Sequence, residues 1–148
     1  MPKPVIIERW IAATPSRVFE TLSDPRRYAS IQPAITAVEV LASDAEGRVE
    51  RFRETRLMRG REATCVLEIK ERRVNERLRF ESDAGGAIWD SVYTLRPERD
   101  GTQLTFRMEA RPYKFFAKLL TPLIHGMVTR AVTSDFDEVV KHFEQQRK

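Results

Sequence analysis

The sequence predicts an α+β fold: a curved antiparallel sheet of six to seven strands wrapped around one long C-terminal helix, with two short helices after the first strand. Three observations carry this reading. From Ala34 to Ala110 apolar residues recur with a period of two, in short runs separated by turn residues. From Leu119 to Gln146 the rhythm becomes helical. Between the first strand and the meander lie two short helix signals, split by Asp24-Pro25. Residues 1–148 are expected to form one domain, without repeats, linkers or low-complexity segments.

The elements follow in order. Val5 to Ile11 reads as the first strand. In "ATPSRVFETLSDP", Thr14 is placed to cap, Pro15 suits the first helical position, and Val18, Phe19 and Leu22 fall at helical spacing. "RRYASIQP" forms a second short helix ended by Pro33. The meander runs through "AITAVEVL", a turn at Asp44 to Gly47, and then Arg48 to Leu57, Thr64 to Glu71, Leu78 to Ser82, Ala87 to Leu95 and Thr102 to Ala110. Breaks are expected at Arg59-Gly60, Val74-Asn75, Gly85-Gly86 and Asp100-Gly101, the last a strong hairpin signal. Cys65, Leu67 and Ile69 share one face, as do Leu78 and Phe80, then Trp89, Tyr93 and Leu95, then Leu104, Phe106 and Met108. Their opposite faces carry Glu68, Lys70, Arg79, Glu81, Asp90 and Arg107, so the sheet is wet on one side and covered on the other.

"KFFAKLL" is expected as a separate short helix, with Thr121 capping the long one and Pro122 in its first turn. Beyond Pro122 two apolar rows are spaced by four: Leu123, Met127, Ala131, Val139 and Phe143, and Ile124, Val128, Val132, Phe136 and Val140. Each such step overshoots a helical turn by about 40°, so the stripe winds, as suits a twisted sheet. Asp135 interrupts the first row, either exposed where the stripe drifts or buried as the partner of an arginine; exposure is the simpler expectation.

Composition excludes several classes. An apolar fraction of 41% and a charged fraction of 32% describe a globular chain. No apolar run approaches the roughly 18 residues that span a bilayer, and "MPKPVIIERW" has no export-signal pattern. A lone Cys65 leaves no internal disulfide and no cysteine cluster for a metal, so a cytoplasmic location is expected, with no cofactor. The net charge of +4 raises the question of nucleic acid, but the basic residues are interleaved with acids, as in "KERRVNERLRFE", and give no specific nucleic-acid signal. Monomer and homodimer are both open.

Geometry suggests a cavity. Six or seven strands about 4.8 Å apart span roughly 30 Å, whereas one helix is about 10–12 Å wide. The helix leaves much of the apolar face to be closed by curvature and by the short helices near Phe19 and Phe116, or filled by side chains. In "RVERFRETRL" the parity is contradictory: Phe52 inward takes Glu50, Glu54 and Arg56 with it, while Val49 and Leu57 inward take Arg51, Arg53 and Thr55. Either register aims charge at the concave face, as the wet end of a ligand site or as a guard against aggregation.

The stretches "IAATPSRVFETLSDPRRYASIQPAITAVEVL", "FRETRLMRGRE", "YTLRPERDGTQLTF" and the "TPLI…DFDEVVKHFE" ending together resemble the START-like helix-grip superfamily (SRPBCC), and within it the polyketide cyclase/dehydrase group. The resemblance covers nearly the whole chain and implies an internal cavity for lipids, polyketides, quinones or similar small hydrophobic molecules. It also implies that Glu54 and Arg56 stand where relatives often carry Glu and Arg, favouring the register with Phe52 inward. One departure is Ile31, where many relatives have a Trp.

A ligand site is therefore expected beneath Leu123, Met127 and Ala131, with Phe52, Leu67, Phe80, Trp89, Tyr93, Phe106 and Met108 on the sheet side and Ile31, Phe116 and Leu120 at the mouth. Gly85-Gly86 and the Tyr28–Ile31 segment are candidate gates. The alternative is a cyclase or dehydrase enzyme in which Tyr93 bonds a carbonyl or enolate, Arg56 stabilises negative charge and Glu54 accepts a proton. Ser91 has no histidine placed to activate it, and His125 and His142 offer no metal spacing. A macromolecular partner module using the basic surface is the third reading.

Overall fold

The computed structural model describes residues 3–147 as β1 (Val5–Ile11), α1 (Pro15–Ser23), α2 (Pro25–Ile31), β2 (Ile35–Ser43), β3 (Val49–Met58), β4 (Arg61–Arg73), β5 (Arg77–Ala84), β6 (Ala87–Glu98), β7 (Gly101–Pro112) and α3 (Phe115–Gln146). This is the expected α+β helix-grip architecture. The strands form one seven-stranded sheet in the order β1-β7-β6-β5-β4-β3-β2, and every pairing is antiparallel. Strands adjacent in sequence but at opposite edges, β1 and β2, are joined by α1 and α2, which must cross the open side of the sheet.

Local chemistry explains the helix starts. Thr14 accepts a bond from the Arg17 amide with Pro15 following it, and Asp24 does the same for Arg26 ahead of Pro25. Both prolines sit where their missing N–H has no helical partner to lose.

The hairpin at the end of β6 differs from expectation. Glu98 pairs with Gly101, so the two turn residues are Arg99 and Asp100, with φ of 47° and 61°. Gly101 is needed for another reason: a Cβ there would lie 2.4 Å from the Ile11 carbonyl oxygen and 2.7 Å from the Trp10 ring. Trp10 in turn donates from Nε1 to the Glu98 carbonyl at 2.8 Å, sealing that corner.

The contradictory parity of β3 is resolved by the sheet itself. Phe52 is buried at 3% exposure with Glu54 and Arg56 on its side, whereas Leu57 is 47% exposed. Register shifts against β2 between Val40 and Ala42 and between Ala42 and Ser43 coincide with the place where Val49 turns inward too. The strand thus buries Val49 and Phe52 together and leaves Leu57 exposed.

Two expectations for the C-terminal helix are corrected. "KFFAKLL" is not a separate helix: α3 runs unbroken through Pro122. Proline has a helix-compatible φ; at Pro122 it removes the bond to the Lys118 carbonyl and crowds that oxygen, at an exposed part of the helix. The expected Thr121 cap falls inside this helix, and the Thr121 side chain lies outside what the structure describes. Asp135 is buried, not exposed, for reasons set out below. Among the described residues no helix is long and apolar enough to cross a membrane.

The core is densest at the lower half of α3. Phe136, Val139 and Phe143 are at most 2% exposed and pack with Ile11, Val18, Leu78 and Leu104, all fully buried. Phe52, Phe80, Tyr93, Phe106 and Phe136 form a continuous aromatic chain with successive centroid distances from 4.9 to 6.2 Å.

Candidate ligand cavity

Between α3 and the sheet a cavity of about 300 Å³ remains unfilled. Phe52, Leu67, Phe80, Trp89, Tyr93, Phe106 and Met108 line it from the strands, as their shared parity required, and Ala131 lines it from α3. Val128, Val132 and Asp135 join Ala131 at helical spacing i, i+3, i+4, i+7, so one narrow face of α3 forms the roof.

Five expected positions lie elsewhere. Met127 and Leu123 belong to the row spaced by four, which winds by about 40° per step and has left the roof face by then. Leu123 and Phe116 are each 76% exposed and Leu120 is 47% exposed, because α3 there has passed beyond the sheet that could cover it. Ile31 packs at the end of α2 against the core and borders a separate polar depression; Tyr28, one turn earlier, is the α2 residue that reaches the cavity. From the sequence, Tyr28 is expected only as part of a gate. An aromatic one turn ahead of an inward Ile was the available signal.

The polar end is built around Arg56. Its Nη1 and Nη2 donate to the two Asp135 oxygens at 2.9 Å each, and its Nε donates to Glu54 Oε1 at 3.2 Å. The side chains are 16%, 11% and 13% exposed for Arg56, Asp135 and Glu54. Tyr28 donates to Asp135 Oδ2 at 3.5 Å, and Gln32 Nε2 donates to the Asp135 backbone carbonyl at 2.8 Å. This pairing is why an aspartate sits in an apolar row: a buried guanidinium on β3 needs a counter-charge across the cavity.

One cation faces two carboxylates, so the trio has an excess negative charge when both are ionised. Burial pushes the Glu54 carboxyl up, with Arg56 opposing and Asp135 reinforcing it. Burial pushes Arg56 down, but its bonds to Asp135 and the charge of both acids outweigh this and hold it above its ordinary value. Burial, then the Asp135 charge, raises the Tyr93 phenol, which remains protonated. Burial likewise raises the Cys65 thiol beside the buried Ser82 Oγ.

The sign of the pH effect follows. With its folded-state pKa raised, Glu54 binds its proton more tightly folded than unfolded, so stability is full below the ordinary carboxylate range and falls as pH rises through the folded value. Glu54→Gln keeps the amide oxygen for Arg56 and removes this loss. Its melting temperature is expected to decline less than that of the wild type between pH 4 and pH 7. Parallel melting curves across that range would contradict the assignment.

The Gly85-Gly86 turn is tied down. The Gly86 carbonyl accepts from the Tyr113 and Lys114 amides at 2.9 and 3.1 Å, latching the turn to the start of α3. Ser91 lines the cavity, and neither histidine does. Among the described residues no three His, Cys, Asp or Glu side chains converge on a metal position.

Residues 6–146 match the model of a family described as polyketide cyclase/dehydrase and lipid transport. No curated protein matches the chain. Among solved structures, protein TTHA0849 of Thermus thermophilus is 22% identical with a TM-score of 0.80, covering 99% of this chain and 100% of its own. A START superfamily protein of Mycobacterium smegmatis is 16% identical with a TM-score of 0.79, covering 97% and 98%. The Zhui aromatase/cyclase of a Streptomyces species is 18% identical with a TM-score of 0.75, covering 100% and 97%. Identities this low establish the shared fold and nothing about the ligand.

Proposed function

The chain belongs to the polyketide cyclase/dehydrase and lipid transport family, and from that premise we propose that it binds a small hydrophobic molecule in the cavity between α3 and the sheet. The observation that carries this is an apolar cavity of about 300 Å³ with its charges gathered at one end. The ligand is apolar over most of its surface. Its polar end is neutral or hydrogen-donating, because both Arg56 donor edges are already taken by Glu54 and Asp135, which leaves carboxyl oxygens and no free cation for an anionic group.

N-phenyl-1-naphthylamine tests this, being fluorescent, apolar and uncharged with a single N–H. The protein is expected to take it up with a blue-shifted emission. The sulfonated analogue 8-anilino-1-naphthalenesulfonate is expected to bind at least about ten-fold more weakly. Ala131→Trp, which projects an indole from the roof into the cavity, is expected to abolish uptake while the protein keeps its cooperative melt. Equal uptake by wild type and Ala131→Trp would remove the cavity as the binding site.

A cyclase-type reaction is the second reading, supported by the meeting of Glu54, Arg56 and Tyr93 on one cavity wall. Arg56 is already engaged by two carboxylates and Tyr93 is held protonated. These groups orient a bound molecule more readily than they exchange protons with it, which favours binding over catalysis.

A further inference from the structure

The first turns of α3 carry apolar side chains that are largely exposed among the described residues. Phe115 and Phe116 are 71% and 76% exposed, and Leu119, Leu120 and Leu123 are 60%, 47% and 76% exposed. At 100° per residue these five fall within an arc of about 140°, forming one continuous face and not scattered positions. The opposite side is where the helix is anchored: Ala117 is buried at 6% exposure. Burying such a face in water's absence is favourable, and a monomeric surface seldom leaves so large a contiguous apolar patch without a use.

Charge identifies what covers it. From Arg111 to Ser134 the chain has four Arg or Lys residues and no Asp or Glu. Lys118 lies about 60° around the helix from Phe115, and Lys114 directly precedes Phe115 in the chain; both are exposed and join no ion pair among the described residues. A second copy of this face would bring lysines against lysines, with no carboxylate on the segment to neutralise them. Lipid phosphates supply that negative charge, and acyl chains supply an apolar phase for a convex row of Phe and Leu.

We infer that the N-terminal part of α3 is a docking surface for an anionic lipid bilayer. Phe115, Phe116, Leu119, Leu120 and Leu123 enter the boundary between headgroups and acyl chains, and Lys114 and Lys118 lie against the phosphates. The helix rests in the interface plane, held by apolar burial to a depth of about 5–10 Å and by electrostatic attraction that salt weakens. The surface starts beside the turn latched by the Gly86 carbonyl, and Ala84 before that turn lines the cavity. Docking therefore sets one end of the cavity against the membrane.

Co-sedimentation of the full chain with vesicles decides the matter. With phosphatidylcholine vesicles containing about 30% phosphatidylglycerol, the protein is expected to pellet at low salt, with at least about ten-fold weaker binding to pure phosphatidylcholine. Phe116→Ser with Leu123→Ser is expected to weaken binding about ten-fold or more. Lys114→Glu with Lys118→Glu is expected to abolish the preference for anionic vesicles. All these residues are exposed, so the melting temperature and uptake of N-phenyl-1-naphthylamine should be unchanged, which separates this inference from the cavity assignment. Protein remaining in the supernatant with anionic vesicles overturns it, as does pelleting that ignores the Phe116 and Leu123 substitutions. A dimer in sedimentation equilibrium that the same substitutions dissolve also overturns it, in favour of a second copy.

Discussion

Arg56→Met is expected to lower the unfolding free energy at pH 7 by about 3–5 kcal/mol, the cost of leaving buried charge without its partner. Glu54 and Asp135 are 13% and 11% exposed at the side chain, and Arg56 is the cation bonded to both. Methionine fills much of the same volume but returns no charge, so both carboxylates must become protonated or draw in water. The deficit should therefore shrink as pH falls toward the ordinary carboxylate range. A companion variant separates pairing from packing. Arg56→Met combined with Glu54→Gln and Asp135→Asn removes all three charges, and most of the loss should be recovered, since a complete buried trio contributes little net stability. Denaturant midpoints at pH 7 and near pH 4 measure both effects. A single variant as stable as wild type at pH 7 would show that water already solvates the trio.

Phe136→Ala is the second large effect, expected to cost about 3–5 kcal/mol. Phe136 is 1% exposed, stacks on Tyr93 with centroids 5.9 Å apart and 16° between planes, and meets Phe106 at 5.3 Å. It joins α3 to the centre of the sheet, so its removal leaves a void on both sides of that contact. The same helix supplies the control. Phe116→Ala, at 76% exposure, should change stability by no more than about 0.5 kcal/mol. Similar melting temperatures for the two variants would mean that α3 is not anchored through Phe136.

Much of the architecture was legible because period and punctuation are local. The alternation of Trp89, Tyr93 and Leu95, the Thr14-Pro15 start and the turn residues at Gly60, Asn75 and Gly85 each depend on a few neighbouring φ, ψ preferences. Sheet-side cavity residues were legible for the same reason, since parity along a strand dictates which face a residue shares. The helix side was not. Leu123, Met127 and Ala131 look alike as members of one row, yet the structure places one far in solvent, one half-buried and one in the cavity roof. Where a helix overhangs its sheet depends on where the last strand ends in space, and no periodicity encodes that.

Glycine and proline show the same division. Gly101 reads as a turn residue, but its role comes from Ile11 and Trp10, residues far away in sequence that approach within 2.4 and 2.7 Å of where a side chain would begin. Pro122 reads as a helix start, but α3 continues through it, since its φ suits the helix and the turns on either side keep their own bonds.

By itself the sequence determined the fold class, the order of its elements and the inward face of most strands, all consequences of short-range sterics and the segregation of apolar side chains from water. Only the tertiary structure decided that Asp135 is the counter-ion of Arg56, that Tyr28 and not Ile31 reaches the cavity, and that the first turns of α3 face outward. Those outcomes depend on distances between residues that are far apart in the chain, and electrostatic pairing and burial act on distance in space.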